Sequence, residues 1–208
     1  MKTVLIVLGV LAAITVAALL YLSGAYNSLV NRSQAVDAQW AQVQNVYQRR
    51  ADLIPNLVAT VSGAANFEKS TLTEITAARA SVGKVQINPG SAPTDPAQLA
   101  AFDQAQGQLS SALSRLLVVV ERYPDLKATA NFQTLQAQLE GSENRIAVER
   151  GRFNEVALDY NSAIKRVPAV FFAGIMGFKE KAYFAAAPGA DKAPQVQFDF
   201  SQKPPAKP

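Results

Sequence analysis

The chain has 208 residues, 49% hydrophobic and 17% charged, with a net charge of +4 and neither histidine nor cysteine. That size supports one buried core in one domain. The two missing residue types exclude a Ser-His-Asp triad, HExxH zinc, Glu-x-x-His di-iron, thiolate nucleophiles, disulfides and cysteine-held iron–sulfur clusters. No metal and no cofactor is expected, since the imidazole and thiolate ligands that hold transition metals are absent. A chain without cysteine tolerates either redox compartment. The basic excess reads as Lys and Arg scattered along solvated helix faces; Arg49-Arg50 is too little for a nucleic-acid surface.

The N-terminal element is the plainest. Val4 to Leu22 carries no charge, and the next charge after Lys2 is Arg32. Nineteen residues at about 1.5 Å each span roughly 28 Å, close to a hydrocarbon core. Residues 1–25 are therefore expected to be a transmembrane anchor. A cleaved signal peptide is the rival, with Ser23-Gly24-Ala25 at the cleavage spacing, but its apolar region is usually about 7–15 residues. Lys2 and the terminal amine against Arg32 bias the N-terminus inward and the domain outward. The expected location is the inner (cytoplasmic) membrane, single-pass, with the domain on the periplasmic side.

Beyond the anchor, apolar residues recur in steps of three and four. Tyr26, Leu29, Ser33, Val36, Trp40, Val43 and Tyr47 form a first stripe with one small polar member, and no proline interrupts residues 3–50, so the anchor helix can run into it. At RRADLIPNLV (Arg49–Val58), Asp52 can cap a new helix and Pro55 is tolerated in a first turn. The apolar register passes through the proline unshifted, so one kinked helix stays open. Helix lengths of roughly 25, 30, 27 and 42 residues favour a corner at Asp52 and an up-down bundle. A second stripe runs Ile54, Leu57, Val61, Ala64, Leu72, Ile75 and Val82. After the proline-rich loop 88–96, Asp95, Pro96 and Gln98 form a helix start, opening a third stripe from Leu99 to Tyr123. Tyr123-Pro124-Asp125 breaks it, with Asp125 expected to cap the fourth, Phe132 to Val167. The prediction is all-α: an N-terminal transmembrane helix, then an antiparallel up-down four-helix bundle over 26–187. The Pro/Ala-rich tail, 188–208, reads as irregular or disordered.

These segments resemble the LemA family. The resemblance is carried by YNSLV (Tyr26–Val30), Trp40, RRADLIPNLVATV (Arg49–Val61), FEKSTL (Phe67–Leu72), ARA (Ala78–Ala80), YPDLKA (Tyr123–Ala128), NFQTLQAQLEGSENRIAVERGRFNEVALDYN (Asn131–Asn161) and GFKEKAYF (Gly177–Phe184). It implies a bacterial membrane-anchored helical bundle whose biochemical role is poorly defined. The loop at 88–96 and the tail depart from the family pattern. The family name has also been attached to a sensor kinase, yet the chain has neither a GxG loop nor a histidine to phosphorylate.

Few residues suggest chemistry. Glu68, Arg79 and Glu149 fall on or beside apolar stripes, where a charge needs a partner. They read either as a carboxylate–guanidinium cluster that binds a ligand or, preferably, as ion pairs fixing helix register. Arg145 and Glu149 sit one turn apart; Glu143 and Arg150 share a face two turns apart, an ordinary surface arrangement. Asn154 and Asn161, seven apart, can bond a neighbouring helix, with solvated side chains the preferred reading. Arg49 and Arg50 are expected to be structural. A carboxylate-only enzyme needs two acids at a cleft floor, which a narrow bundle does not offer, so no catalytic residue is assigned. The aromatic segment 167–184 can cap the bundle or contact a membrane through Phe171, Phe172, Ile175, Met176 and Phe178, with Lys179 and Lys181 near headgroups. Expected partners are the lipid bilayer and either another protein or a second copy, with no nucleic acid and no small-molecule substrate. A scaffold is the first reading and a sensory bundle signalling through the anchor helix the second.

Overall fold

The computed structural model describes residues 2–64, 67–85, 87 and 90–185. The helices are α1 (Lys2–Ser62), α2 (Lys69–Lys84), α3 (Pro96–Val120), a single turn α4 (Pro124–Lys127) and α5 (Ala130–Lys165), followed by a 3-10 turn at Ala169–Phe171. Among the described residues no segments pair into a β-sheet, and the all-α expectation holds.

α1 is one unbroken helix of 61 residues. Its first part is bare: Val4 to Leu22 packs against nothing in the chain and is long and apolar enough to cross a membrane. From Leu29 onward one face is buried, through Val36, Trp40, Val43, Tyr47, Arg50, Ile54, Leu57 and Val61. That three-and-four alternation passes straight through Pro55, so the corner expected at Asp52 does not exist. The chain turns ten residues later, after Ser62, and Ile54 to Val61 belong to α1 rather than α2. Asp52 is no cap; it accepts a hydrogen bond from Gln48 Nε2 at 2.7 Å along the exposed face.

Why the helix survives its proline is visible one helix away. Pro55 has no N–H to give the carbonyl of Ala51, four residues back, and an interior proline normally costs about 3 kcal/mol or more. Arg79 on α2 donates its Nε–H to that same Ala51 carbonyl at 3.3 Å. A side chain thus stands in for the missing backbone donor. Pro55 itself faces solvent, so its ring displaces no core side chain.

The up-down order survives the moved corner. α1 rises from the anchor end, and α2 returns only part of the way, because it has just 16 residues. α3 rises again, from Leu99 and Phe102 beside Trp40 and Tyr47 to Leu116 and Val120 beside Leu57 and Val61, and α5 descends the full height. Asp95 caps α3 as expected, accepting from the Ala97 N–H at 2.9 Å with Pro96 in the first turn. α5 is capped by Thr129 rather than Asp125: Thr129 Oγ1 accepts from the Phe132 N–H at 3.3 Å. Pro124 spends Asp125 on the separate turn α4, and the extended Thr129 backbone starts the long helix anew.

At the base, residues 172–177 form a turn closed by the Phe178 N–H on the Ala173 carbonyl and the Gly177 N–H on the Gly174 carbonyl. Gly177 adopts φ +84, a left-handed conformation that suits glycine in this helix-ending motif. The chain then runs back up α5 in extended form. Asn161 and Asn154 each grip one residue of it twice: the Lys181 and Phe184 N–H groups donate to the amide oxygens at 2.9 Å, and the amide nitrogens donate to the same residues' carbonyls at 2.8 and 2.9 Å. Two helical turns and three extended residues both cover about 10 Å, which is why an i, i+7 pair matches this strand. The asparagines are therefore neither solvated nor bonded to a neighbouring helix. The Ala182 N–H donates to Pro93, and the Ala92 N–H to Asp37, so the loop before α3 is tied in as well. The tail expected to be irregular lies outside the described residues.

Candidate functional site

Two apolar clusters fill the bundle, one near the anchor and one near the far tip. Between them lies a polar layer built on Arg50, which is 1% exposed. Arg50 occupies a core position of the α1 stripe, so its guanidinium enters the bundle instead of solvent. It donates to Ser110 Oγ at 2.7 Å and to Glu143 Oε1 at 2.5 Å, and it bonds the Gln106 side chain on α3. Its Nε has no partner among the described residues, and the guanidinium carbon stands 5.3 Å from the Tyr47 ring centroid. Glu143 is half-exposed, so the pair is buried at the cation and wet at the carboxylate. Neighbouring Arg49 is exposed.

Two turns further along α5 from Glu143, Arg150 makes a two-pronged bond to Asp103, at 2.7 and 3.1 Å, and lies 4.4 Å from the Phe184 ring centroid. Glu143 and Arg150 thus form separate bridges from α5 to other helices, not a surface pair. Burial raises the Tyr47 hydroxyl above the usual tyrosine range, with the nearby Arg150 cation opposing. Burial likewise raises Tyr160, opposed by a hydrogen bond with Ser33.

The remaining charged candidates do not converge. Glu68 bonds Arg122 at 2.7 Å near the far tip, Arg79 serves the Ala51 carbonyl, and Glu149 accepts from Gln39 at 2.6 Å and pairs with Arg152 at 2.9 Å. Glu149 takes Arg152, three residues on, in place of Arg145. Of the three, only Glu68 makes an ion pair between separate parts of the chain; Arg79 bonds a backbone carbonyl, the ion pair of Glu149 lies within α5, and no common cluster joins them. An open cleft of about 620 Å³ lies at the far tip, lined by Thr60, Ala64, Arg122, Tyr123, Leu126 and Thr129. No group of acidic ligands suited to a metal occurs among the described residues.

The aromatic segment sits at the anchor end, where Tyr26 and Phe178 meet edge to face with centroids 5.5 Å apart. It has two sides. Ala169, Ala173, Phe172 and Phe178 pack into the near cluster, so Phe172 and Phe178 take the capping alternative rather than lipid contact. Phe171, Ile175 and Met176 point outward, at 72%, 88% and 50% exposure. Lys181 is corrected too: it is buried and bonded to Asp37 at 2.8 Å, so it cannot reach headgroups. Its own N–H and carbonyl, held by Asn161, draw the residue inward.

Sequence reasoning missed Asp37, Gln106, Ser110 and Asp103. The first ties loop and C-terminal strand to α1; the others complete the polar layer. Gln106 was legible as a polar member of the third stripe, while the others lie beside the stripes and gave no periodic signal.

The chain is similar in sequence to known proteins along most of its length. The chain is 29% identical to magnetosome protein MamQ 2 of Paramagnetospirillum magneticum over 202 residues, covering 90% of this chain and 74% of that one. It is 30% identical to magnetosome protein MamQ of Magnetospirillum gryphiswaldense over 181 residues, 80% of this chain and 66% of that one. Protein LemA of Metamycoplasma hominis is 24% identical over 179 residues, 86% of this chain and 75% of that one. The family match runs over residues 39–198, from just before the buried Trp40 through the extended strand and into the tail, and the chain belongs to the LemA family.

Proposed function

We propose that this protein is a non-enzymatic scaffold anchored by a single span in the bacterial cytoplasmic membrane, with the bundle on its outer side. The observation that carries the reading is the unbroken α1, which is a bare apolar span at one end and the central helix of a filled bundle at the other. The bundle interior holds two apolar clusters and a layer of side-chain bonds, and its charged candidates serve as ties between helices. A scaffold of this kind works through its surface, by binding another protein or a second copy of itself. The test is crosslinking of the full chain in native membranes and after reconstitution at rising protein density. Assembly that increases with density and needs no added ligand supports the scaffold. Monomers at every density with no crosslinked partner would sink it.

A second reading has one favouring observation: the same continuous helix joins the span to the Arg50 layer. A sensory bundle would use it to pass a ligand's effect to the membrane. A small molecule that saturably raises the melting temperature of the full chain would select this reading.

A further inference from the structure

The turn at the base of the bundle is built as an amphipathic foot. Its inner side, Ala169, Phe172, Ala173 and Phe178, packs into the near cluster. Its outer side presents Val167, Val170, Phe171, Ile175 and Met176, all between 47% and 88% exposed. Five exposed apolar side chains within ten residues concentrate what is normally scattered over a surface. The position is what gives the patch a partner. Phe178 touches Tyr26, four residues past Leu22, where the strongly apolar stretch of α1 ends, so the foot lies at the level where α1 leaves the hydrocarbon. The charges around it point the same way. Arg166 and Lys179 flank the patch, are exposed, and have no ion pair among the described residues, whereas Lys165 is taken up by Glu180 at 2.8 Å.

We infer that the outer side of the segment 167–179 beds into the bilayer interface beside the span, and that Arg166 and Lys179 select anionic lipid there. The inference rests on the reading of residues 1–25 as a retained anchor. The foot makes a second attachment to the same membrane, and two attachments fix the tilt of the bundle where one span would leave it free to swing. Its two roots are held, by α5 on one side and by the Asn161 grip on Lys181 on the other, so the apolar side chains arrive in a defined orientation.

The chain lacks cysteine, so single labels can be placed cleanly on the full-length protein. Leu11→Cys reports the span, Ile175→Cys the foot, and Val118→Cys, on the exposed face of α3, the water-facing bundle. Each would carry a small fluorophore, in vesicles of mixed phosphatidylcholine and phosphatidylglycerol. The expected result is that Leu11 and Ile175 are both shielded from acrylamide and both quenched by bromine on the lipid acyl chains, while Val118 shows the reverse. Replacing phosphatidylglycerol, or introducing Arg166→Gln with Lys179→Gln, should lower the bedded-to-free ratio at Ile175 by about fivefold per charge. A shielded Leu11 with an Ile175 as open to acrylamide as Val118 refutes the foot alone. Shielding at Ile175 without quenching by brominated lipid means that protein covers it, and refutes the foot as well. A Leu11 open to water removes the anchor reading and the foot with it. Protection indifferent to both lipid charge and the double variant overturns the anionic preference.

Discussion

The half of the bundle next to the bare N-terminal part of α1 and the half at the far tip solve the same packing problem differently. At the tip, four helices enclose a mainly aliphatic interior of Ile54, Leu57, Ile75, Leu109, Leu116 and Leu139. In the half next to the bare segment α2 is missing, because its 16 residues reach only about 24 Å. The loop around Ala92 and the strand 181–184 take its place, and the interior there is aromatic. Trp40 meets Phe153, Phe102 and Phe184 at centroid separations of 5.3, 5.8 and 6.0 Å, and Tyr47 meets Phe102 at 5.1 Å. Irregular backbone leaves wider gaps than a helix does, and large flat side chains fill them. The comparison teaches that a fourth wall can be assembled from loop and strand, provided its backbone groups find side-chain partners such as Asn154, Asn161 and Asp37.

The sharpest way to break the contrast is to remove its largest ring. Trp40→Ala should cost about 4 kcal/mol, and Leu116→Ala at the tip about 3 kcal/mol. Denaturant melts read both, and hydrogen exchange should show the Trp40 variant loosening residues 181–184 while the Leu116 variant leaves them protected. Equal loosening by the two would erase the distinction between halves.

At the boundary, the half-wet ion pair should respond asymmetrically. Glu143→Gln strands a buried cation and should cost about 3 kcal/mol, whereas Arg50→Met removes the buried charge, fills the space and should cost about 1 kcal/mol. The reverse order in chemical denaturation would mean that the Arg50 guanidinium is hydrated. Next in size, Asn161→Ala should cost about 2 kcal/mol by leaving the Lys181 backbone groups unpaired, with faster exchange at 181–184 and unchanged exchange in α2. Alkali should then single out the near half. Tyr47 and Tyr160 stay protonated in the folded protein at pH values where they ionise in the unfolded chain. Their contribution is complete below about pH 10 and declines as pH rises beyond it. Tyr160→Phe should flatten that decline in a stability profile taken across pH 9 to 12.

The smallest effect concerns the proline. Arg79→Ala should cost about 0.5 kcal/mol in the native sequence and nothing in a Pro55→Ala background, where the backbone donor is restored. A double-mutant cycle without coupling would show that the Arg79 bond does not compensate Pro55.

Much of this fold was legible in the residues, and the misses share a cause. The stripe from Trp40 to Val61 keeps its three-and-four step through both Arg50 and Pro55, so the continuous helix was written in local periodicity. What overrode it was the proline's backbone cost, and the group that offsets that cost, Arg79, lies 24 residues away on another helix. Asn154 and Asn161 announced a common face by their spacing, but an amide's partner depends on where the chain goes after Gly177. Lys181 carries no periodic sign of burial; only the strand's path across Asp37 turns it inward. Periodicity reports which face is buried, while long-range pairing decides what a polar group on that face does.

The continuity of α1 also makes it a yardstick. From Tyr26 to Ser62 the helix rises about 55 Å, so the turn after Ser62 and the cleft beside it stand at a set distance from the bare apolar segment. Inserting one residue just above the span would turn everything over it by about 100°, and inserting seven would lift the tip by about 10 Å while nearly keeping its heading. Height and compass bearing are thus separately encoded in the residue count of a single helix.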